Sequence, residues 1–341
     1  KLRGRNLLNL NIGKIPNNIL EKLLKMYDSP KRNEVISRPA VGEDCAALDL
    51  GGDLCVVTTD PITGSDDETG FLGVNIACND LASAGAEPLG IMVTILAPVG
   101  TGTDEIENIM KQLKKASEIV NADIIGGHTE ITDAVNRMVL SVTAIGKVKK
   151  GKLVTTRGAK PGDDIILTNY AATEGTVILS YYFEEELKRE FGNDFVEESK
   201  KLLTSISVVR EGLLAANYGV TSMHDVTEGG VLGALWEVGN ASGYGLEVDI
   251  NRIPILEHTR RICNFLNIDP LKLISSGCML ITTPNGSGLL KLLHENNIKA
   301  SIIGKITFGK EYIVKDGDKC IKIDVPESDE LYKARGMKGL I

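Results

Sequence analysis

Short apolar runs typical of β-strands alternate with longer amphipathic segments along the whole chain, and this alternation restricts the possible folds most. Residues 91–96 have the character of a strand, whereas residues 104–120 repeat apolar side chains with helical spacing, and Asp104 is the expected N-cap. Two further strand-like runs, residues 46–50 and 54–59, flank Gly51-Gly52-Asp53 and predict an antiparallel hairpin. The pattern predicts a mixed α/β (α+β) fold in which helices cover sheets that include antiparallel strands.

A basic, glycine-punctuated stretch interrupts this pattern near the middle of the chain. Residues 146–162 include several lysines and lead into the turn sequence Pro161-Gly162-Asp163. Strand-like and helical segments of ordinary domain size lie on either side of it. We therefore predict an N-terminal domain over residues 1–150 and a C-terminal domain over residues 151–341.

Charge and composition exclude several classes of partner. The chain of 341 residues has 38 Lys and Arg against 46 Asp and Glu, a net charge of -8, and only 4% aromatic residues. Such a chain is poorly suited to nucleic acid or anionic membrane surfaces. The six cysteines show no C-x-x-C spacing and favour free thiols in a reducing compartment. With no apolar run of membrane-spanning length and no secretory signal, the sequence predicts a cytoplasmic protein.

Acidic residues recur where apolar segments meet polar turns. Asp44 precedes a predicted strand, Asp60 ends another, and Asp80 lies in a helix rich in small residues. Gly126-Gly127-His128-Thr129-Glu130 is expected to close a further strand. Taken singly, each acidic residue is explained as a turn or cap residue. Taken together, carboxylates from separate segments can converge on a hard cation such as magnesium bound to nucleotide phosphates.

The order and spacing of these motifs carry a resemblance to a known family. The motifs are Gly42-Glu43-Asp44-Cys45-Ala46, Thr58-Thr59-Asp60, Asn79-Asp80-Leu81-Ala82-Ser83-Ala84-Gly85-Ala86-Glu87-Pro88, Gly126-Gly127-His128-Thr129, Pro161-Gly162-Asp163, His224-Asp225-Val226-Thr227-Glu228-Gly229-Gly230, Ile253-Pro254 and Ser276-Gly277. Over nearly its whole length the chain resembles the AIR synthase (PurM-like) superfamily. Within that superfamily it is most similar to the branch of HypE-like hydrogenase maturation factors.

The resemblance implies a two-domain PurM-like fold and a set of site residues. The N-terminal domain would bind ATP and form a β-barrel shared with a second subunit, giving a homodimer, and the C-terminal domain would be an α/β layered domain. The implied ATP-binding residues are Asp44, Asp60, Asn79, Asp80, Gly126, Gly127, Thr129, Gly229 and Gly230. The implied magnesium ligands are Asp44, Asp60, Asp80 and Glu130, and the implied catalytic residues are Asp225, Glu228 and His128. The amides at Gly229 and Gly230 are expected to open a helix and bind an anion.

His128 departs from the family pattern, in which an acidic residue follows the two glycines. A neutral imidazole binds magnesium poorly, so either Glu130 replaces the missing ligand or the second metal site is weakened. His128 itself is interpreted either as a proton carrier or as a turn residue.

The resemblance implies an ATP-dependent enzyme that activates an amide, carbamoyl or phosphate-accepting small molecule. One alternative is a small-molecule kinase similar to thiamine-monophosphate kinase, which the acidic residues Asp225 and Glu228 favour. Another is a non-catalytic nucleotide-binding assembly subunit. The sequence ends Arg335-Gly336-Met337-Lys338-Gly339-Leu340-Ile341, without the terminal Pro-Arg-Ile-Cys of the maturation factors. We therefore expect a reaction that does not use a terminal cysteine.

Overall fold

Twelve strands and eleven α-helices are assigned in a computed structural model that describes residues 12–26, 31–63, 67–326 and 328–338. The strands are β1 (Ala46–Asp49), β2 (Leu54–Ile62), β3 (Glu87–Pro98), β4 (Asp123–Thr132), β5 (Val139–Val148), β6 (Asp164–Thr168), β7 (Ser222–Asp225), β8 (Gly245–Asp249), β9 (Met279–Thr283), β10 (Ala300–Thr307), β11 (Tyr312–Asp316) and β12 (Lys319–Lys322). The helices are α1 (Asn17–Leu24), α2 (Thr69–Ser83), α3 (Thr103–Val120), α4 (Thr173–Tyr182), α5 (Glu184–Phe191), α6 (Asn193–Lys201), α7 (Val209–Tyr218), α8 (Gly230–Ser242), α9 (Glu257–Phe265), α10 (Gly286–Glu295) and α11 (Glu330–Arg335).

The strands form two separate mixed sheets, and the fold is mixed α/β as predicted. The N-terminal sheet has the order β1-β2-β5-β3-β4, and the C-terminal sheet has the order β12-β11-β8-β10-β6-β9-β7. Strands β1 and β2 pair antiparallel, as the predicted hairpin requires, whereas β3 and β4 pair in parallel. Below, the N-terminal domain is the part that carries the first sheet and the C-terminal domain the part that carries the second.

Helix α2 lies between the two domains, because its neighbours are the N-terminal sheet, α3 and α7. Nearly all its residues are buried, so it presents no solvent face, and small side chains let other backbones approach closely. A Cβ atom added at Gly212 of α7 would lie only 2.7 Å from the carbonyl oxygen of Ala82. This contact holds the C-terminal domain directly against the helix that carries Asp80.

Two polar contacts join the domains near this helix. The Asn79 side chain donates to the carbonyl of Ile206 at 2.9 Å and accepts from the amide of Val208 at 2.8 Å. The Arg157 Nε donates to Glu43 Oε1 at 2.7 Å. Since Asn79 is fully buried, its two hydrogen bonds satisfy backbone groups that would otherwise lie unpaired at the domain contact.

Some expected element boundaries are wrong. Helix α3 has Gly102, not Asp104, at its N-cap, because the Glu105 side chain accepts the Gly102 N–H at 2.9 Å. Residues 126–130 lie in the middle of β4 rather than at the end of a strand, and Asp60 lies inside β2. Residues 339–341, at the end of the given sequence, fall outside the described residues. In the described part of the chain, no helix is both long and apolar enough to cross a membrane.

Candidate nucleotide and metal site

A cavity of about 390 Å³ lies between the two domains. Asp44, Asp60 and Asp80 line it from the N-terminal domain, and Glu228 lines it from the C-terminal domain. The structure therefore brings together four acidic residues that the sequence had marked as functional. The remaining wall includes apolar side chains, so the cavity combines a charged region with an apolar one.

Secondary structure fixes the position of each carboxylate. Asp44 lies two residues before β1, Asp60 lies within β2, and Asp80 faces them from α2. The Thr58 hydroxyl lies 2.6 Å from Asp80 Oδ2 and 3.0 Å from the carbonyl oxygen of Asp44. Asp225 ends β7 and adds a carboxylate from the other domain. Four carboxylates from four different elements thus meet at the domain boundary.

Three carboxylate oxygens of this cluster lack protein donors among the described residues. Both oxygens of Asp225 and Oδ2 of Asp60 are buried and have no hydrogen-bond partner among the described residues. Burial, together with Asp225 and Asp60, raises the pKa of Asp80 well above its usual value. Burial and the charge of Asp44 raise the pKa of Asp225 to about 7. Buried acceptor oxygens without donors are suitable ligands for a hard divalent cation, which would remove the repulsion between them. The donor set therefore fits magnesium.

His224 is a site residue that the sequence analysis did not single out. Its Nδ1 lies 3.2 Å from Asp44 Oδ2, and its Nε2 lies 2.9 Å from Glu237 Oε2 on α8. Burial favours the neutral ring, but Asp44 and Glu237 outweigh it and raise the pKa of His224 well above its usual value. In turn, desolvation of Asp44 is outweighed by the charge of His224, which keeps the pKa of Asp44 below its usual range. One imidazolium therefore holds two carboxylates in place.

Ligand atoms of Asp44, His224 and Asp225 all lie within 4.8 Å of one another. The ring nitrogens of His224 already face Asp44 and Glu237, so this histidine is a partner of the ligands rather than a ligand. Its position next to Asp225 in the sequence was the only available signal for it. No sequence feature distinguished Glu237.

The segment before α1 covers the same site. The Lys14 amide donates to Glu228 Oε1 at 2.9 Å, and Lys14 Nζ lies 3.4 Å from Thr227 Oγ1. Gly13 has a φ of +112°, a backbone conformation that favours glycine, and a Cβ atom there would lie 2.7 Å from Glu228 Oε1. Desolvation lowers the pKa of Lys14, but Glu237 and Asp44 outweigh it and raise the pKa. Lys14 therefore supplies a second positive charge to the carboxylates, a role for which the sequence gave no signal.

Three residues expected to contact the nucleotide, Gly229, Gly230 and Asn79, make other contacts in the structure. The amide of Gly229 donates to Asp329 Oδ2 at 2.6 Å and the amide of Gly230 donates to the Thr227 carbonyl at 3.1 Å, so neither is available to an anion. The Asn79 side chain is likewise engaged in the domain contact described above and does not line the cavity. None of these three residues lines the cavity.

The Gly126–Glu130 motif lies away from the carboxylate cluster within one chain. Three strand pairs separate Gly127 from Asp60, namely Gly127 with Val93, Val93 with Val142, and Val142 with Asp60. Strand β4 therefore lies three strands from Asp60. At the usual spacing between strands this separation is roughly 14 Å. His128 Nε2 instead pairs with Glu130 Oε2 at 2.9 Å, and both side chains are exposed. Within a single subunit, Glu130 therefore lies too far from Asp60 to bind the same ion, and Gly126 and Thr129 lie on the same distant strand.

Comparisons with known proteins agree with this architecture. The family described as AIR synthase related protein, N-terminal domain, matches residues 42–148, and AIR synthase related protein, C-terminal domain, matches residues 160–317. A putative hydrogenase expression/formation protein of Methanocaldococcus jannaschii is 30% identical over 78% of this chain and 79% of its own length. The carbamoyl dehydratase HypE of Rhizobium leguminosarum bv. viciae is 27% identical over 80% of this chain and 79% of its own. A thiamine-monophosphate kinase of Pyrococcus abyssi is 24% identical over 88% of this chain and 96% of its own length.

Solved structures show the same fold. HypE in the HypE-HypF complex has a TM-score of 0.75 at 22% identity, covering 90% of this chain and 99% of that chain. A HypE structure in complex with ATP has a TM-score of 0.68 at 22% identity, covering 86% of this chain and 92% of that chain. The family matches, the relatives and the two-domain fold agree with each other. The chain belongs to the AIR synthase related family, in the PurM-like superfamily of enzymes, and lies close to HypE.

Proposed function

We propose that this protein is an ATP-dependent enzyme that binds magnesium-ATP in the cleft between its domains and activates an amide, carbamoyl or phosphate-accepting small molecule. The observation that carries the proposal is the convergence of Asp44, Asp60, Asp80 and Asp225. Both oxygens of Asp225 and Oδ2 of Asp60 have no protein donor among the described residues. The carbamoyl dehydratase HypE relatives and a HypE structure in complex with ATP support it.

Asp44, Asp60, Asp80 and Asp225 would hold magnesium. Bound magnesium would neutralise phosphate charge and so assist phosphoryl transfer. Thr58 orients Asp80, and His224 fixes Asp44, so the ligands are preorganised. Glu228 presents its carboxylate to the cavity, where it can accept a proton or a hydrogen bond from the acceptor.

We also propose that the N-terminal domain, residues 1–150, forms a homodimer through β4. Nearly every residue of this edge strand is exposed, including Ile124, Ile125 and Ile131, which are each 45% to 56% accessible. An exposed apolar edge strand is a template for pairing with another strand. The dimer would bury His128, Glu130 and the neighbouring Gly126, Gly127 and Thr129 at the subunit interface, where they could contact a nucleotide only across subunits.

A small-molecule kinase is the second candidate. The acidic residues Asp225 and Glu228 and the relative from Pyrococcus abyssi favour it. The products separate the two reactions: ADP with a phosphorylated acceptor identifies a kinase, whereas free phosphate with a dehydrated or cyclised product identifies the synthase type. A nucleotide-binding assembly subunit, which the HypE-HypF complex suggests, predicts ATP binding without turnover for every acceptor.

The test of the proposal is magnesium-dependent ATP turnover in wild-type protein and in Asp60→Asn. We expect turnover to fall by about 100-fold in the variant, because a ligand with a buried, unpaired oxygen is lost. Asp53→Asn is the matched control, since Asp53 is an exposed residue of the β1–β2 turn in the same sheet. Turnover that is equal in wild type and Asp60→Asn would exclude the assigned metal site.

A further inference from the structure

The wall of the cavity formed by the C-terminal domain contains two polar side chains that the proposed ATP chemistry does not use. Glu174 lies in the first turn of α4, and Ser276 lies in the loop before β9. Both residues are at most 2% exposed, yet both line the cavity. The Ser276 amide donates to Glu174 Oε2 at 3.2 Å, which fixes the two residues side by side.

The Ser276 hydroxyl lies next to the Glu174 carboxyl and acts to lower its pKa, but it makes no hydrogen bond of ordinary distance and angle among the described residues. The loop that carries Ser276 packs closely against α4. The Gly175 amide donates to the Ile274 carbonyl at 3.0 Å, and a Cβ atom at Gly175 would lie 2.4 Å from the Leu273 side chain. A buried hydroxyl without a partner is rare and costly in a native fold. A ligand group in the cavity would satisfy it.

The surroundings of the pair are acidic. The charged groups that act most strongly on Glu174 are Asp329 and Glu228, both carboxylates. Asp329 accepts backbone N–H groups of Gly229, Ile274 and Leu331, which favours its ionised form. Lys14 and Arg137 are the cationic residues among the described residues that line the cavity. Lys14 is hydrogen-bonded to Thr227 and Glu228. The charge of Arg137 acts on Tyr332, where it favours a lower pKa of the hydroxyl. Acceptor atoms therefore predominate at this end, which favours a ligand with N–H donors and disfavours a phosphate or carboxylate.

We propose that Glu174 and Ser276 bind a primary amino group of the acceptor, with Ser276 Oγ and a Glu174 carboxylate oxygen accepting its hydrogen bonds. The inference rests on the proposed function, because it takes the cavity to be the active site. It narrows the acceptor to an amine-bearing small molecule whose carbon chain lies along the apolar side chains Ile178, Ile274 and Leu331. It excludes acceptors that place an anionic group at this end of the cavity.

The first experiment titrates propylammonium chloride into the protein by calorimetry at pH 7.5. We expect about millimolar binding, the strength a ligand of this size can reach. Sodium propionate has the same size with a negative charge, and propyltrimethylammonium keeps the positive charge without N–H donors; neither should bind. Glu174→Gln and Ser276→Ala should each weaken propylammonium binding by about tenfold. A parallel ATP titration of the wild-type protein tests the proposed function separately, so the two failures are distinguishable.

Proton release provides an independent readout. Burial raises the pKa of Glu174 to about 7, and a bound cation would lower it, so binding near neutral pH should release part of a proton. The other acidic groups of this wall are Glu228, Asp329 and Tyr332; burial raises the pKa of Asp329 to about 6 and that of Tyr332 to about 12. The binding heat should therefore depend on the ionisation enthalpy of the buffer in wild type and in Ser276→Ala, but not in Glu174→Gln.

Three results would overturn the inference. The first is no propylammonium binding to the wild-type protein at 100-fold the expected dissociation constant. The second is binding of unchanged strength in both variants, each first shown by thermal unfolding to be folded. The third is propionate binding as strong as propylammonium binding.

Discussion

At the scale of single residues, His224 supplies positive charge to the acidic cluster. It contacts Asp44 on one side and Glu237 on the other. We expect His224→Gln to lower the free energy of unfolding by about 2–4 kcal/mol, because two neighbouring carboxylates lose their shared positive charge while Asp44 stays partly exposed. Urea unfolding at pH 7.5 measures this. Glu237→Gln is the control and should lower the free energy of unfolding by less, since its amide oxygen still accepts a hydrogen bond from His224 Nε2. If His224→Gln left the free energy of unfolding unchanged, the contact would not contribute to stability.

Glu211 gives a pH-dependent prediction away from the site. It is buried and accepts the Asn169 side-chain amide at 2.7 Å, and burial raises its pKa from 4.5 to about 7. A raised pKa in the folded state means that stability is lost as pH rises from about 4.5 to above 7. The shift corresponds to roughly 3 kcal/mol. Glu211→Gln should therefore be more stable than wild type at pH 8 by up to this amount and similar at pH 4.5, as measured by urea unfolding. A constant difference at both pH values would contradict the prediction.

The sequence predicted the acidic residues of the site but not the residues that neutralise them. Asp44, Asp60 and Asp80 lie in recognisable motifs, and the structure brings them together. Lys14 lies more than two hundred residues from Glu228 in the chain, and its role depends on a backbone contact that no spacing rule reports. Glu237 is one of several polar residues on helices, and only the position of α8 against β7 brings it to His224.

At the scale of elements, β4 carries the most specific prediction. We expect Ile125→Lys to convert the proposed homodimer into a monomer, because a charge would be introduced into the exposed apolar strand. Sedimentation velocity measures the change. Ile119→Lys is the matched control, since Ile119 is 51% exposed on α3, on an element outside the proposed interface, and should leave the dimer intact. A wild-type protein that sediments as a monomer would exclude the proposed interface.

The glycines of β4 explain why its extent was misjudged from the sequence, and the polar residues of β7 explain why no strand was predicted there. Gly126-Gly127 indicated the end of a strand, but pairing with β3 continues through Thr132. A Cβ atom at Gly127 would lie 2.0 Å from the Val93 carbonyl oxygen, so here glycine permits strand pairing rather than ending it. Strand β7 contains Ser222, His224 and Asp225, whose polarity serves the site and conceals the strand character.

At the scale of the whole molecule, the mixed α/β class and the presence of two domains followed from the alternation of elements, but their mutual arrangement did not. The domains are joined by Asn79, by Arg157 with Glu43, and by the close approach of α7 to α2. These contacts are individually small and distant in sequence, so no local pattern encodes them. They also place Asp225 beside Asp44, and the candidate site exists only because the two domains meet in this way.

Calorimetric titration of the whole protein with ATP, in magnesium and again in excess EDTA, tests the central claim most directly. The arrangement of Asp44, Asp60, Asp80 and Asp225 predicts micromolar binding in magnesium and a loss of at least tenfold in EDTA, because negatively charged phosphates cannot approach four carboxylates without the cation. Asp225→Asn should bind ATP more weakly in magnesium, and its affinity for ATP should depend less on the presence of magnesium. Equal affinity in magnesium and EDTA, or no binding in either, would contradict the assignment of this cleft as a magnesium-ATP site.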